Sequence, residues 1–194
     1  MSLELKNLTK SFDGKVLFDG LSYTFDNNGI YALVGRSGVG KTTLLRMIAG
    51  LDRDYSGSIV LDDGARVSLA FQEHRLFPQL TALENIVFAI SDRKDEAVVN
   101  KSKKMLIKAG LCESDLTILP EALSGGMKQR VSLVRALMFP SEILLLDEPT
   151  KELDKENARL VRELILEAAR TRLVIISSHS TEDIEALCPK LINL

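Results

Sequence analysis

Apolar positions along the chain fall into short dense runs and helix-spaced stripes, and the two alternate. The run IYALV at 30–34 enters a glycine-rich stretch and reads as a buried strand. ILLL at 143–146 and LVII at 173–176 are equally dense, as expected of strands covered on both faces. Helical spacing appears at 42–49, stopped by Gly50, at Ala82–Ile90, at 96–109, stopped by Gly110, and at 127–138. It returns at 155–169, where Leu160, Val161, Leu164, Ile165 and Ala168 share a face and Asp154 is placed as a cap. Near the N-terminus, Leu3, Leu5 and Leu8 begin an irregular alternation that resumes with Leu17, Leu21, Tyr23 and Phe25. An Asp13-Gly14 turn signal lies between, so the segment predicts an antiparallel hairpin or meander. Short strands are expected at 58–61 and 67–71 around Asp63-Gly64. From Gln72 to Leu123 strand signals fade, which marks a candidate helical lobe. Strands alternating with amphipathic helices predict an α/β core with a mainly parallel sheet.

The 194 residues carry no repeat and no Pro/Gly/Ser linker, so one domain is expected, with 1–71 and 124–194 forming the core and 72–123 the lobe. Twenty-five basic against 27 acidic residues give a net charge of −2, which leaves no global basic field for nucleic acid. Two cysteines, Cys112 and Cys188, are too few for a disulfide framework and read as buried or incidental thiols of a reducing cytosol. No apolar run approaches the ~18–20 residues of a bilayer span, and the N-terminus lacks a signal-peptide core. A cytosolic chain is expected, with membrane association only through a partner.

Residues 35–42 read GRSGVGKT: Gly35, Arg36, Ser37, Gly38, Val39, Gly40, Lys41 and Thr42. A strand precedes them and a helix follows, the context that G-x-x-x-x-G-K-[ST] requires. Glycines let successive N–H groups point at one phosphate, and the helix N-terminus adds partial positive charge. Lys41 is placed to reach the β/γ-phosphates, Thr42 to hold Mg²⁺, and Thr43 to donate on the α-phosphate side. By itself the loop leaves kinase, GTPase, helicase and transport ATPase open. A second feature narrows this. ILLLDE at 143–148 is a buried strand with two carboxylates at its C-terminal end, where open α/β sheets bind ligands. Asp147 suits a Mg²⁺ ligand acting through water, and Glu148 suits a general base on an attacking water. A water-activating carboxylate favours hydrolysis over transfer to an acceptor.

LSGGMKQR at 123–130 places Ser124, Gly125 and Gly126 at another helix start, a second potential anion site. Two phosphate-binding helix starts with one nucleotide pocket are economically explained if the second serves a nucleotide held by another copy.

The ordered set of GRSGVGKT, Gln72 after a strand, LSGGMKQR, ILLLDEPT, Asp154 and His179 after LVIISS resembles the nucleotide-binding subunit of ABC (ATP-binding cassette) transporters over essentially the whole chain. The resemblance implies a P-loop NTPase with a RecA-like core, an N-terminal antiparallel β part and an inserted helical lobe. It implies an ATP-driven head-to-tail dimer, in which Ser124 and Gly126 of one copy close on the ATP held by Lys41 of the other. By position, Phe12 matches the aromatic that stacks on adenine. Gln72 matches the residue that senses Mg²⁺ and water and links core to lobe. His179 matches the switch histidine on the γ-phosphate, whereas His74 matches nothing and reads as a surface or lobe residue. The partners so implied are a second ATPase copy or a related subunit, transmembrane permease subunits docking near 72–81, and, for an importer, a substrate-binding protein. The expected place is the cytoplasmic face of the cell membrane.

The run FQEHRLFPQLTALENI at 71–86 is similar to the nitrate/sulfonate/taurine branch of importers, with Leu76, Phe77, Pro78 and Leu80 either an apolar docking patch or lobe core. Three positions depart from the family pattern. Lys151 in KEL stands where Ser opens Ser-Ala-Leu, Ser180 stands where Asp is common, and Gln79 stands where that branch often has Trp. The end at 192–194 reads as a last strand, giving a motor subunit without a regulatory C-terminal domain. Two other classes compete. A soluble ABC-type ATPase on nucleic acid or ribosomes lacks its coiled coil or second cassette here, and a P-loop nucleotide kinase leaves LSGGMKQR and His179 unexplained.

Overall fold

The computed structural model describes residues 3–12, 14–91 and 95–194. Asp13 of the expected turn lies outside the described residues. The element order is β1 (Leu3–Phe12), β2 (Lys15–Phe25), β3 (Gly29–Val34), α1 (Lys41–Ile48), β4 (Ser56–Leu61), β5 (Val67–Ala70), α2 (Ala82–Ile90) and α3 (Glu96–Lys108). Two 3₁₀ turns, Glu113–Thr117 and Pro120–Ala122, lead to α4 (Gly125–Met138), β6 (Ile143–Asp147), α5 (Lys155–Ala168), β7 (Leu173–Ser177), α6 (Thr181–Leu187) and β8 (Lys190–Asn193).

Five strands form one sheet in the order β5-β6-β7-β3-β8, and every pair in it is parallel. Their side chains divide between two cores. Ile30, Ala32, Leu144, Leu146, Val174 and Ile176 face the core shared with α2, α4 and α5. Tyr31, Leu33, Ile143, Leu145, Leu173 and Ile175 face the opposite core, with Leu44 and Leu45 of α1 and Leu3, Leu5 and Leu8 of β1. Alternation of this kind inside an unbroken apolar run is what double-sided burial demands. A separate antiparallel sheet, β2-β1-β4, caps the second core. The irregular alternation of Leu3, Leu5 and Leu8 has a physical cause: the register shifts between Leu5 and Leu8, and Asn7 between them has φ of 49°. One extra residue at a bulge returns Leu8 to the buried face.

Between β5 and β6 the chain is helical or 3₁₀ wherever it forms a regular element among the described residues. Thr81 and Glu84 form a reciprocal capping box at α2, and Asp154 accepts a bond from the Asn157 N–H at the start of α5. Both cysteines are free and exposed, which leaves the incidental-thiol alternative. The seven-residue α6 went unforeseen because TEDIEAL is short and polar, with Asp183 and Leu187 its buried positions. No helix among the described residues is long and apolar enough to cross a membrane.

Leu145 is fully buried at the centre of β6. Leu145→Ala is expected to cost about 2–5 kcal/mol, read as a lower urea midpoint with an unchanged slope.

Candidate nucleotide site

The parallel sheet delivers the site at one end. β3 runs into the loop 35–40, and α1 starts at Lys41 with Gly40 as its cap residue at φ 111°. A Cβ on Gly40 would lie 2.7 Å from the Phe18 ring, so glycine is required there both by the backbone and by close packing. Lys41 is only 6% exposed. Its ammonium donates to the carbonyls of Gly35 (2.9 Å) and Arg36 (3.1 Å). Among the described residues it has no ion-pair partner, so a buried cation faces the loop without a counter-anion. Such a charge is costly unless a ligand completes its partners.

A cavity of about 320 Å³ opens there, lined by the loop residues Ser37, Gly38 and Gly40 and by Lys41, Thr42 and Thr43 of α1. Gln72, Asp147, Glu148 and His179 complete the wall, with Leu17, Lys151 and Ser177. Residues far apart in sequence thus meet around one hollow. The register explains how: Asp147 of β6 pairs with Ser177 of β7, so the acidic strand end lies beside the strand that precedes His179. The Ser177 hydroxyl donates to Asp147 Oδ1, and the Glu148 N–H donates to the Ser177 hydroxyl (3.0 Å) and carbonyl (3.1 Å). Glu148 itself has φ of 50°, a left-handed conformation that is uncommon for any residue other than glycine. This strain turns the chain sharply at the carboxylate.

Glu148 Oε2 lies 2.8 Å from the Lys151 ammonium, and Oε1 lies 3.6 Å from His179 Nε2. The Glu148 carboxylate beside it raises the Lys151 pKa above the ordinary lysine value. His74 sits elsewhere: it is half-buried, and burial lowers its pKa.

Not every candidate reaches the cavity. Phe12 is 65% exposed on β1 and is not part of a core, and it does not line this hollow. Gly35, Arg36 and Val39 are also absent from its wall. Ser124, Gly125 and Gly126 open α4 away from it, with the Ser124 hydroxyl accepting from the Met127 N–H. The start of α4 instead approaches the segment after the acidic strand, since a Cβ on Gly125 or Gly126 would meet Glu152 or Leu153. The apolar run after Gln72 divides in two. Leu76 packs on the helical core, whereas Phe77 is exposed and stacks edge-on against the exposed Phe88 at 5.2 Å. Asn85, fully buried, fixes this loop by accepting from the Phe77 N–H and donating to the carbonyls of Phe77, Leu80 and Thr81.

A profile of the ABC transporter family matches residues 18–151. An aliphatic sulfonates import ATP-binding protein of Corynebacterium glutamicum is 37% identical over 98% of this chain and 79% of its own length. A putrescine transport ATP-binding protein of Escherichia coli is 37% identical over 93% of this chain, which spans 51% of that longer relative. Among solved structures, a dimeric ATP-binding cassette in a post-hydrolysis state bound to ADP and Pi superposes with a TM-score of 0.86 at 27% identity, covering 99% of this chain and 94% of that one. The chain belongs to the ABC transporter family. ATP is accordingly the nucleotide of an ABC cassette such as this one, and hydrolysis its reaction. The parallel core sheet and antiparallel β part are those of a P-loop NTPase.

The residues fit Mg²⁺ as the companion ion. No cluster of three His, Cys, Asp or Glu side chains forms a cage among the described residues. An ion that keeps water and takes one or two protein oxygens plus phosphate oxygens needs none.

A network behind the ABC site was not legible in the motifs. Asp183 is fully buried and accepts from Thr150 Oγ1 (2.6 Å), Ser178 Oγ (2.7 Å) and Arg162 Nε (2.8 Å). It thereby joins the turn after Glu148 to the residue before His179. Gln129 of α4 donates to the carbonyls of Glu148 (3.3 Å) and Pro149 (3.4 Å). The available signal was an acid in the first turn of a short polar helix, which reads equally as a plain N-terminal charge. Asp183→Ala leaves the largely buried Arg162 and two hydroxyls without this partner, and is expected to cost about 3–5 kcal/mol, measured by denaturant unfolding. Asp183→Asn, which keeps the shape, is expected to cost less.

Proposed function

We propose that this chain is the Mg²⁺-dependent ATP-hydrolysing subunit of an importer, and that the cavity over Lys41 is its triphosphate site. The observation that carries the reading is the buried Lys41 ammonium, which pairs with no carboxylate among the described residues and shares a cavity wall with the Asp147–Glu148 strand end. Lys41 and the N–H groups of residues 35–40 and of the start of α1 receive the β- and γ-phosphates. Thr42, Gln72 and Asp147 would hold the metal ion, which supplies charge neutralisation at the phosphate oxygens. Glu148 accepts a proton from the water that attacks the γ-phosphorus, as the bond to the β-phosphate oxygen breaks and ADP leaves. His179, on the far side of the Glu148 carboxylate, contacts the γ-phosphate.

Ser124 and Gly126 stand away from this cavity, and their helix start serves the ATP of a second copy, with Phe12 free to stack on the base. The dimeric state of the structural relative supports that arrangement. Import is supported by the names of the sulfonate and other relatives. The exposed Phe77–Phe88 pair beside Gln72 offers a membrane subunit an apolar contact, with the cassette on the cytoplasmic face of the membrane. A substrate-binding protein completes such an importer. Within this reading, 72–123 acts as the lobe that carries the docking surface and 1–71 with 124–194 as the motor core.

Lys41→Ala is expected to weaken Mg-ATP binding roughly tenfold to a hundredfold, the worth of a charge-assisted contact, and to remove turnover. Titration calorimetry and a phosphate-release assay on the same preparation check this. Unchanged affinity and turnover contradict the assignment.

A further inference from the structure

Glu148 is a weaker proton acceptor while a cation is paired with its carboxylate. Oε2 is 2.8 Å from the Lys151 ammonium and Oε1 faces His179 Nε2 at 3.6 Å. The lysine contact is built into the backbone, since the Lys151 N–H donates to the Glu148 carbonyl (3.1 Å) and the resulting turn returns the side chain to the carboxylate three residues back. Thr150 Oγ1 within that turn is held by buried Asp183. Lys151 therefore projects from an anchored segment. The cation also belongs to the hydrolytic hollow: Glu148, Lys151 and His179 line both the 320 Å³ cavity over Lys41 and an adjoining one of about 760 Å³.

A plain surface ion pair is the competing account. Burial separates the two: Lys151 is 48% exposed, but Glu148 only 19%. The carboxylate is thus largely withdrawn from solvent, with the ammonium against one of its oxygens. The lysine fills no core space, so its loss disturbs charge rather than packing.

We propose that Lys151 is a positioning residue that holds Glu148 in a resting orientation, restraining ATP hydrolysis by the isolated chain until the 148–153 segment is displaced. This rests on Glu148 being the general base. The half-exposed lysine makes the restraint modest, about two- to fivefold in rate, because an exposed pair is screened and mobile. A stronger hold would keep the enzyme permanently off.

Two readouts test it on the full chain. The first is steady-state hydrolysis at saturating Mg-ATP, at low and high salt (roughly 50 and 500 mM, spanning strong and weak screening). Lys151→Met is expected to raise kcat about two- to fivefold at low salt while KM changes little. Lys151→Arg restores the wild-type rate, and the difference between Met and wild type shrinks at high salt. A purely structural lysine does not produce a charge-dependent, salt-dependent gain. The second readout needs no nucleotide. Labelling with an amine-reactive ester, mapped by mass spectrometry, is expected to modify Lys151 faster in Glu148→Gln than in wild type, with exposed Lys155 as the internal reference. The proposal is overturned if Lys151→Met leaves kcat equal to or below wild type at both salts, or if Lys151 labelling does not change. If Glu148→Gln hydrolyses ATP like wild type, the base assignment fails and the restraint with it.

Discussion

A lysine ammonium almost closed off from water, bonded to two carbonyls of its own loop and, among the described residues, to no carboxylate, sets the conditions for the rest of the site. Carbonyl dipoles solvate a cation but do not neutralise it. In the proposed function an anion over the loop neutralises it, with the loop N–H groups and the start of α1 contributing to the same end. Such a loop must be rigid before ligand arrives. Packing supplies that rigidity: Gly40 lies so close to Phe18 that no Cβ fits, and a Cβ on Gly35 would meet the Leu194 carbonyl at 2.9 Å. The first hairpin and the last residue of the chain both press on the phosphate loop, which couples its shape to the completed fold.

The second half of the site depends on strand register. β6 and β7 pair in parallel so that Asp147 meets Ser177, and the Ser177 hydroxyl bonds both Asp147 and the Glu148 N–H. A one-residue slip would turn Leu146 and Ile176 out of their core, so burial enforces the register. The left-handed Glu148 then turns the chain at the strand end. Backbone strain of this type costs on the order of 1–3 kcal/mol and persists where surrounding bonds determine it. Here those bonds come from Ser177 and from Gln129 at the next carbonyl. Through Thr150 and Ser178, Asp183 extends the same control to the segments that carry Lys151 and His179. Glu148, His179 and Lys151 are thus positioned by one connected set of polar contacts behind the cavity.

Much of this was legible in the sequence because it rests on local pattern. Dense runs at 30–34, 143–146 and 173–176 read as strands because they are too short for helices and suit parallel strands covered on both faces. GRSGVGKT between a strand and a helix pointed to phosphate without any structure. What stayed hidden depends on contacts between distant segments. The bulge at Asn7 appeared only as a broken alternation, and α6 was too short and polar to register. Lys151 could be seen to depart from the family pattern, but its partner could not, because the turn that brings it back to Glu148 follows from a left-handed glutamate. The split of 76–80, with Leu76 inward and Phe77 outward, arises from the buried Asn85 that fixes the loop. Whether Cys112 and Cys188 were buried or incidental thiols was open in the sequence, and both are exposed.

In the proposed function one nucleotide is completed by two chains, Lys41 and Glu148 of one copy meeting Ser124 and Gly126 of the other. The most direct measurement is the molar mass of Glu148→Gln in solution, by light scattering, with and without Mg-ATP and beside wild type. Blocking hydrolysis should hold the shared state. The expected result is a shift from monomer to dimer in Mg-ATP alone, reversed when Ser124→Arg is added to the same chain. A Glu148→Gln chain that binds ATP and stays monomeric at every concentration reached would contradict two equivalent copies closing on shared nucleotides.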